Sequence, residues 1–175
     1  MLILLDTGLR ISEVVSIKEQ DIDWNRNSIR VMGKGSKERV VPFGRTVKRA
    51  LLAYLKRRGH IVGNDHIFVS ELGDPLWREP VRRNIRKYGA RAGLTGVRCS
   101  PHTFRHTFAC NWIRNGGDVF SLQRILGHST MHTVRLYVNL ADSDLEAAHL
   151  KWSPVDCKSQ ELGLSGRGDG RRRLR

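Results

Sequence analysis

Two short runs, Ser28–Met32 and Arg39–Phe43, alternate polar and apolar residues on either side of Gly33-Lys-Gly-Ser-Lys-Glu38. A period of two sends successive side chains to opposite faces, so each run is expected to be a strand. The Gly-rich link between them closes a β-hairpin. Almost everything else follows the helical period, so the expected fold class is mostly α with a small β-hairpin or sheet.

The helical segments read in order. Met1–Leu5 is the apolar end of a helix, with Gly8 as the residue past its terminus. Residues 11–17 carry Ile11, Val14, Val15 and Ile17 on one side, with Ser12 as a cap near the start. Over 46–58, Val47, Ala50, Leu51, Tyr54 and Leu55 face Lys48, Arg49, Lys56, Arg57 and Arg58 across the helix. Ile67–Ser70 is a candidate strand. Helices are expected over 80–93, with a Val81, Ile85, Tyr88, Ala92 stripe and Pro80 in its first turn, and over 102–114, with Phe104, Phe108 and Trp112 at four-residue spacing. Asp118 caps the next, which closes at Gly127. Ser129 caps another that runs to about Asn139, and a last helix covers Ser143–Lys151. Past Ser153-Pro154 apolar residues thin out, and residues 156–175 read as a disordered basic tail.

Lys and Arg number 31 against 17 Asp and Glu, a net charge of +14. The usual reason for such an excess is a polyanion, nucleic acid or an anionic membrane surface. The apolar run at Met1–Leu5 ends at Asp6, too short for a signal or a membrane span. Cys99, Cys110 and Cys157 are odd in number and form no C-x-x-C, so neither a disulfide framework nor a zinc ribbon is indicated. The expected setting is reducing and cytoplasmic, with nucleic acid as partner and no membrane.

Each chemical motif has a functional and a structural reading. His102 and Arg105 share a helix face with His106; together they suit a phosphate, with charge from Arg and proton traffic from His, but a structural His beside a surface Arg has the same pattern. His102/His106 and His128/His132 repeat H-x-x-x-H, yet the Glu of a zinc protease motif is missing. Lys34 stands at a hairpin tip that could enter a groove or simply be solvated. Tyr137 lies between Leu136 and Val138, a setting typical of a packing residue. Arg10 begins a helix, where a cation opposes the dipole, so an anion beside it would explain its presence.

Taken in order, TGLRISE (7–13), GKGSKER (33–39), SPHTFRHTFA (100–109) and LGHSTMHTVRLYV (126–138) make the chain resemble the catalytic domain of tyrosine recombinases, the phage-integrase and Xer-like enzymes. The resemblance covers roughly residues 1–155, the expected catalytic domain. It implies Tyr137 as nucleophile, Arg10 and Arg105 as paired phosphate-binding arginines, and Lys34 as general acid. His102 takes the position assisting proton transfer, His128 the one that hydrogen-bonds the phosphate, and Glu13 the acid that orients Arg10. The implied function is site-specific DNA recombination or integration through a 3′-phosphotyrosyl intermediate, without cofactor or metal, by nucleoid-associated subunits that self-associate into a tetrameric synapse on their partner, double-stranded DNA. The family's N-terminal DNA-clamp domain is not represented here, so the chain is expected to be a truncated catalytic part. Two alternatives share the motifs: a non-catalytic DNA-binding remnant, and a type IB topoisomerase-like nicking and resealing enzyme.

Overall fold

A computed structural model of the chain describes residues 1–33, 35, 37–127, 137, 149 and 153. Contacts divide the chain into Met1–Ala141 and Asp142–Arg175, and the architecture below belongs to the first unit. Its elements are α1 (Leu2–Thr7), α2 (Ile11–Val15), a 3₁₀ turn (Glu19–Asp21), β1 (Ile22–Asp23), β2 (Ser28–Met32), β3 (Glu38–Pro42), α3 (Arg45–Arg58), α4 (Arg78–Arg91), α5 (Pro101–Arg114) and α6 (Val119–Leu126). The sheet is antiparallel in the order β1-β2-β3, with Ile29 opposite Val41 and Val31 opposite Arg39. The expected class, helical with a small sheet, is what forms.

Local chemistry sets most boundaries. Ser100 caps α5 by accepting a hydrogen bond from the Thr103 amide, and Pro101 occupies the first helical position, where a missing N–H costs nothing. The Asp118 carboxylate accepts from the Ser121 amide and starts α6. Gly8 closes α1 at φ 60° and Gly127 closes α6 at φ 64°, both in the left-handed region. Leu9, Ile17, Ile29, Val41, Ile67, Leu122 and Leu126 are fully buried and join these elements in one core. Each such aliphatic side chain contributes about 1.5–3 kcal/mol on leaving water. Among the described residues no helix is long and apolar enough to cross a membrane.

Three local expectations are corrected. Ser12 does not cap α2: it lies inside the helix and is exposed, while Arg10 is the extended residue before the first turn and Glu13 reaches back to the Arg10 amide. Ile67–Ser70 forms no strand, only isolated bridges between Lys18 and His66 and between Val69 and Pro75, because Pro75 has no N–H with which to extend a ladder. The third strand of the sheet is Ile22–Asp23, set by a turn in which the Asp23 carboxylate accepts from the Asn25 and Arg26 amides. On α4 the buried line runs through Ile85 and Gly89, not Tyr88 and Ala92, because Gly89 lets Cys99 pack against the helix backbone. The expected helices near residues 129–139 and 143–151, and the expected tail at 156–175, lie outside the described residues, except that Tyr137 and His149 are helical.

Candidate active site: an arginine cluster around a buried carboxylate

The site is built where the α1–α2 turn, β3, α5 and the end of α6 meet. Glu13, only 6% exposed, sits on the first turn of α2 and accepts four hydrogen bonds. The Arg10 amide donates to Oε2 (2.8 Å) and Arg10 Nη1 to Oε1 (3.1 Å). Arg39, from β3, closes a two-pronged pair, Nη1 to Oε1 and Nη2 to Oε2, both at 2.9 Å. Burial pushes the Glu13 carboxyl up, but the Arg39 and Arg10 hydrogen bonds and charges outweigh it and hold the group below the usual carboxylate range. Glu13 is therefore an anion at neutral pH, shared between two cations.

Arg105 stands on α5, buried to 6% exposure. Its Nη1 donates to the Gly8 carbonyl (2.7 Å) and its Nη2 to the Leu126 carbonyl (2.8 Å). Arg39 Nε donates to the neighbouring Ile125 carbonyl (2.8 Å). The last carbonyls of α6 carry the negative end of its dipole, so both guanidinium groups are well placed there. The Arg105 pKa is lowered to about 10, chiefly by burial and then by the Arg10 and Arg39 charges, against which Glu13 and the anionic form of Tyr137 act. At neutral pH it remains a cation. These couplings also place Arg10 and Tyr137 within electrostatic reach of Arg105.

Tyr137 is half-buried, and its ring lies 5.4 Å from that of His106, tilted by 50°. His106 in turn has Nε2 3.7 Å from Cys110 Sγ. His102 is exposed at the start of α5 and lines a cleft of about 530 Å³ with Arg82, Arg86, Arg98 and Ser100. The expectation that His102, Arg105 and His106 share one face is thus met only for the two histidines: Arg105 turns inward while both imidazoles face out. Arg10, Glu13, Arg105 and Tyr137 come together as one electrostatic group; Lys34 and His128 lie outside the described residues. Among the described residues no group of three or more His, Cys, Asp or Glu is placed to hold a metal ion.

Arg39 is the participant to which the motif reading gives no role. Arg39 does leave a signal. It is in phase with Val41 and Phe43, both buried, so the strand period puts an arginine on the core face, where it needs a partner.

A helical domain with a three-stranded sheet, carrying a buried arginine–carboxylate cluster beside a tyrosine, defines the class: the catalytic domain of a tyrosine recombinase. The chain belongs to the phage integrase family, whose pattern matches residues 1–144. The tyrosine recombinase XerC of Chlamydia caviae is 40% identical over 138 residues, 77% of this chain and 44% of the relative. XerC of Histophilus somni (strain 2336) is 35% identical over 155 residues, 88% of this chain and 52% of the relative. The chain spans about half the length of the curated relatives it matches. Among solved structures, XerA recombinase superposes with a TM-score of 0.75 at 34% identity, over 86% of this chain and 55% of that one. The catalytic domain of bacteriophage HP1 integrase superposes with a TM-score of 0.62 at 26% identity, over 89% and 82%.

Proposed function

We propose that this chain is the catalytic part of a site-specific DNA recombinase. The carrying observation is the buried cluster of Arg105, Glu13 and Arg10 in a domain of this family, with Tyr137 packed 5.4 Å from His106 on the helix that carries Arg105. In this reading the Tyr137 oxygen attacks a DNA phosphorus, a 3′-phosphotyrosyl bond forms, and the bond to the 5′ oxygen breaks. Lys34 gives the departing 5′ oxygen its proton, His102 assists proton transfer by accepting the phenolic proton that Tyr137 loses, and His128 hydrogen-bonds the phosphate, roles that rest on the sequence resemblance. Arg10 and Arg105 offset the charge that builds on the pentacoordinate phosphorus, where preorganised donors are worth most. A 5′ hydroxyl of the second strand then attacks the phosphotyrosine and releases Tyr137, so the number of phosphodiester bonds is unchanged.

The partner is double-stranded DNA. The net charge of +14 suits it, and a related XerH recombinase, 28% identical over 84% of this chain, has been solved in a post-cleavage complex with its difH substrate. Copies of the complete protein would associate on DNA as a synapse, in the cytoplasm at the nucleoid.

The test uses nicked duplexes with randomised arms, which trap a covalent product because the short cleaved strand diffuses away. The 175-residue chain should give a protein–DNA band on a denaturing gel, and sequencing of the captured DNA should reveal its site. Tyr137→Phe should abolish the band and leave DNA affinity within a few fold. A wild-type chain that binds DNA without forming the band would instead be a DNA-binding remnant, and a band surviving Tyr137→Phe would remove the tyrosine from its role.

A further inference from the structure

Glu13 poses a problem for the reading just given. A carboxylate 6% exposed and bonded to Arg10 through both its amide and its guanidinium would by itself cancel much of the charge that Arg10 can offer a phosphate. The structure holds a second cation in the right place. Arg39, whose side chain is 12% exposed, covers both Glu13 oxygens in parallel at 2.9 Å, while Arg10 reaches one of them through a single Nη at 3.1 Å. A two-pronged guanidinium–carboxylate pair is the stronger and more fixed of the two arrangements.

We propose that Arg39 is a positioning residue of this site: it neutralises Glu13, so that Glu13 orients Arg10 without consuming its charge. The inference rests on the reading of Arg10 and Arg105 as phosphate-binding groups. Three further observations fit. The Arg10 side chain is 38% exposed, against 12% for Arg39, so Arg10 is the one that can meet a ligand. The third donor of Arg39 is spent on the Ile125 carbonyl, one residue before the carbonyl that holds Arg105. Finally, a Cβ built on Gly127 would lie 3.1 Å from Arg39 Nε, so the glycine leaves the room that the guanidinium occupies. Arg39 thereby fixes, from one strand, the helix that carries Glu13, just after Arg10, and the helix end that holds Arg105.

The consequence is a reversal of sign between two substitutions. Arg39→Ala leaves Glu13 ionised with Arg10 as its remaining guanidinium partner in the network described, and the pair then collapses onto itself. Adding Glu13→Gln removes the competing charge and frees Arg10. On a duplex recovered by covalent capture, Arg39→Ala should slow single-turnover cleavage at saturating DNA roughly ten- to a hundredfold, the size typical for a partner that orients a ligating group. The double variant Arg39→Ala/Glu13→Gln should be faster than Arg39→Ala alone. With a methylphosphonate at the attacked position, which carries no charge to be offset, the Arg39→Ala defect should shrink.

Arg39→Lys, which keeps the charge and loses the fork, is the variant to use if Arg39→Ala does not fold, and should fall between wild type and Arg39→Ala. Cleavage by Arg39→Ala within twofold of wild type, or a double variant slower than the single, overturns the inference. A wild-type chain that forms no adduct overturns the proposed function instead, and Arg39 is then read without cleavage. Inorganic phosphate, against chloride at equal ionic strength, should raise the melting temperature of the wild type more than that of Arg39→Ala, and Glu13→Gln should restore the shift. An equal phosphate shift in all three proteins sinks the role assigned to Arg39.

Discussion

Gly8 is the position at which backbone conformation, core packing and the site meet, and Gly8→Ala is the sharpest test of that meeting. Its φ of +60° lies in the left-handed region, where a Cβ costs about 1–2 kcal/mol. The space is also taken: an added Cβ would lie 2.3 Å from Phe108 Cδ1 and 2.9 Å from Leu126 Cδ2. Both contacts are closer than real Cβ atoms approach, so Phe108 and Leu126 must move, and overpacking of this kind typically costs about 1–3 kcal/mol. The sum is about 2–5 kcal/mol, a fall in melting temperature on the order of 10 °C for a chain of this size. Gly93→Ala isolates the first effect. Its φ is +68° with no atom within 4 Å of a built Cβ, so it should lose only the backbone share. Urea unfolding followed by circular dichroism measures both. The Gly8 carbonyl holds Arg105 Nη1, so a shift of this turn should slow cleavage beyond what the remaining folded fraction accounts for. Equal destabilisation by Gly8→Ala and Gly93→Ala would show that the contacts with Phe108 and Leu126 do not constrain the turn.

Arg105→Ala removes the donor that holds the Gly8 and Leu126 carbonyls, and each buried acceptor left unpaired costs about 1–3 kcal/mol, which a urea midpoint reads. The same variant should lower single-turnover cleavage by about 10²–10³; a loss under tenfold, on protein shown to be folded, would demote Arg105 to a purely structural tie. Glu13 predicts an acid limb. Its folded pKa is depressed from an ordinary 4.5, so the stability it contributes is present above that value and is lost as pH falls through the folded pKa. Unfolding free energies of wild type and Glu13→Gln, measured from about pH 6 to about pH 3, should therefore converge on acidification; parallel curves would mean that the carboxylate gains nothing from its arginines.

Much of the fold could be read from the sequence because its signals are local. Ser100 before Pro101, Asp118 three residues before Ser121 and the glycines at positions 8 and 127 act within one helical turn, and the boundaries of α5 and α6 follow from them. The period-two runs gave the hairpin for the same reason. Local reading failed where a distant partner decides the outcome. Ser12 has the residue type of a cap, but the Arg10 amide is taken by Glu13 because Arg39 fixes that carboxylate. Arg58 reads as one more cation on the basic face of α3, yet it folds back to the His66 and Ile67 carbonyls and to Glu19.

The site residues follow the same rule. Arg105 and Gly8 are 97 residues apart in the chain, Arg39 and Ile125 are 86 apart, and Arg39 and Glu13 are 26 apart. Their hydrogen bonds form a closed circuit: Gly8 to Arg105, Arg105 to the end of α6, α6 to Arg39, Arg39 to Glu13, and Glu13 to Arg10, two residues from the start. Each member, met alone, is an arginine in a basic chain or an acid on a short helix. The ring exists only when the hairpin, α2, α5 and α6 are packed, so the charges are held in place by the core. Arg105 must stay ionised although burial strips its hydration and the nearby Arg10 and Arg39 charges repel it, and both effects, burial first, lower its pKa. One carboxylate and the carbonyls of Gly8, Ile125 and Leu126 hold three guanidinium groups in that state, and the excess positive charge is what a DNA phosphate would balance.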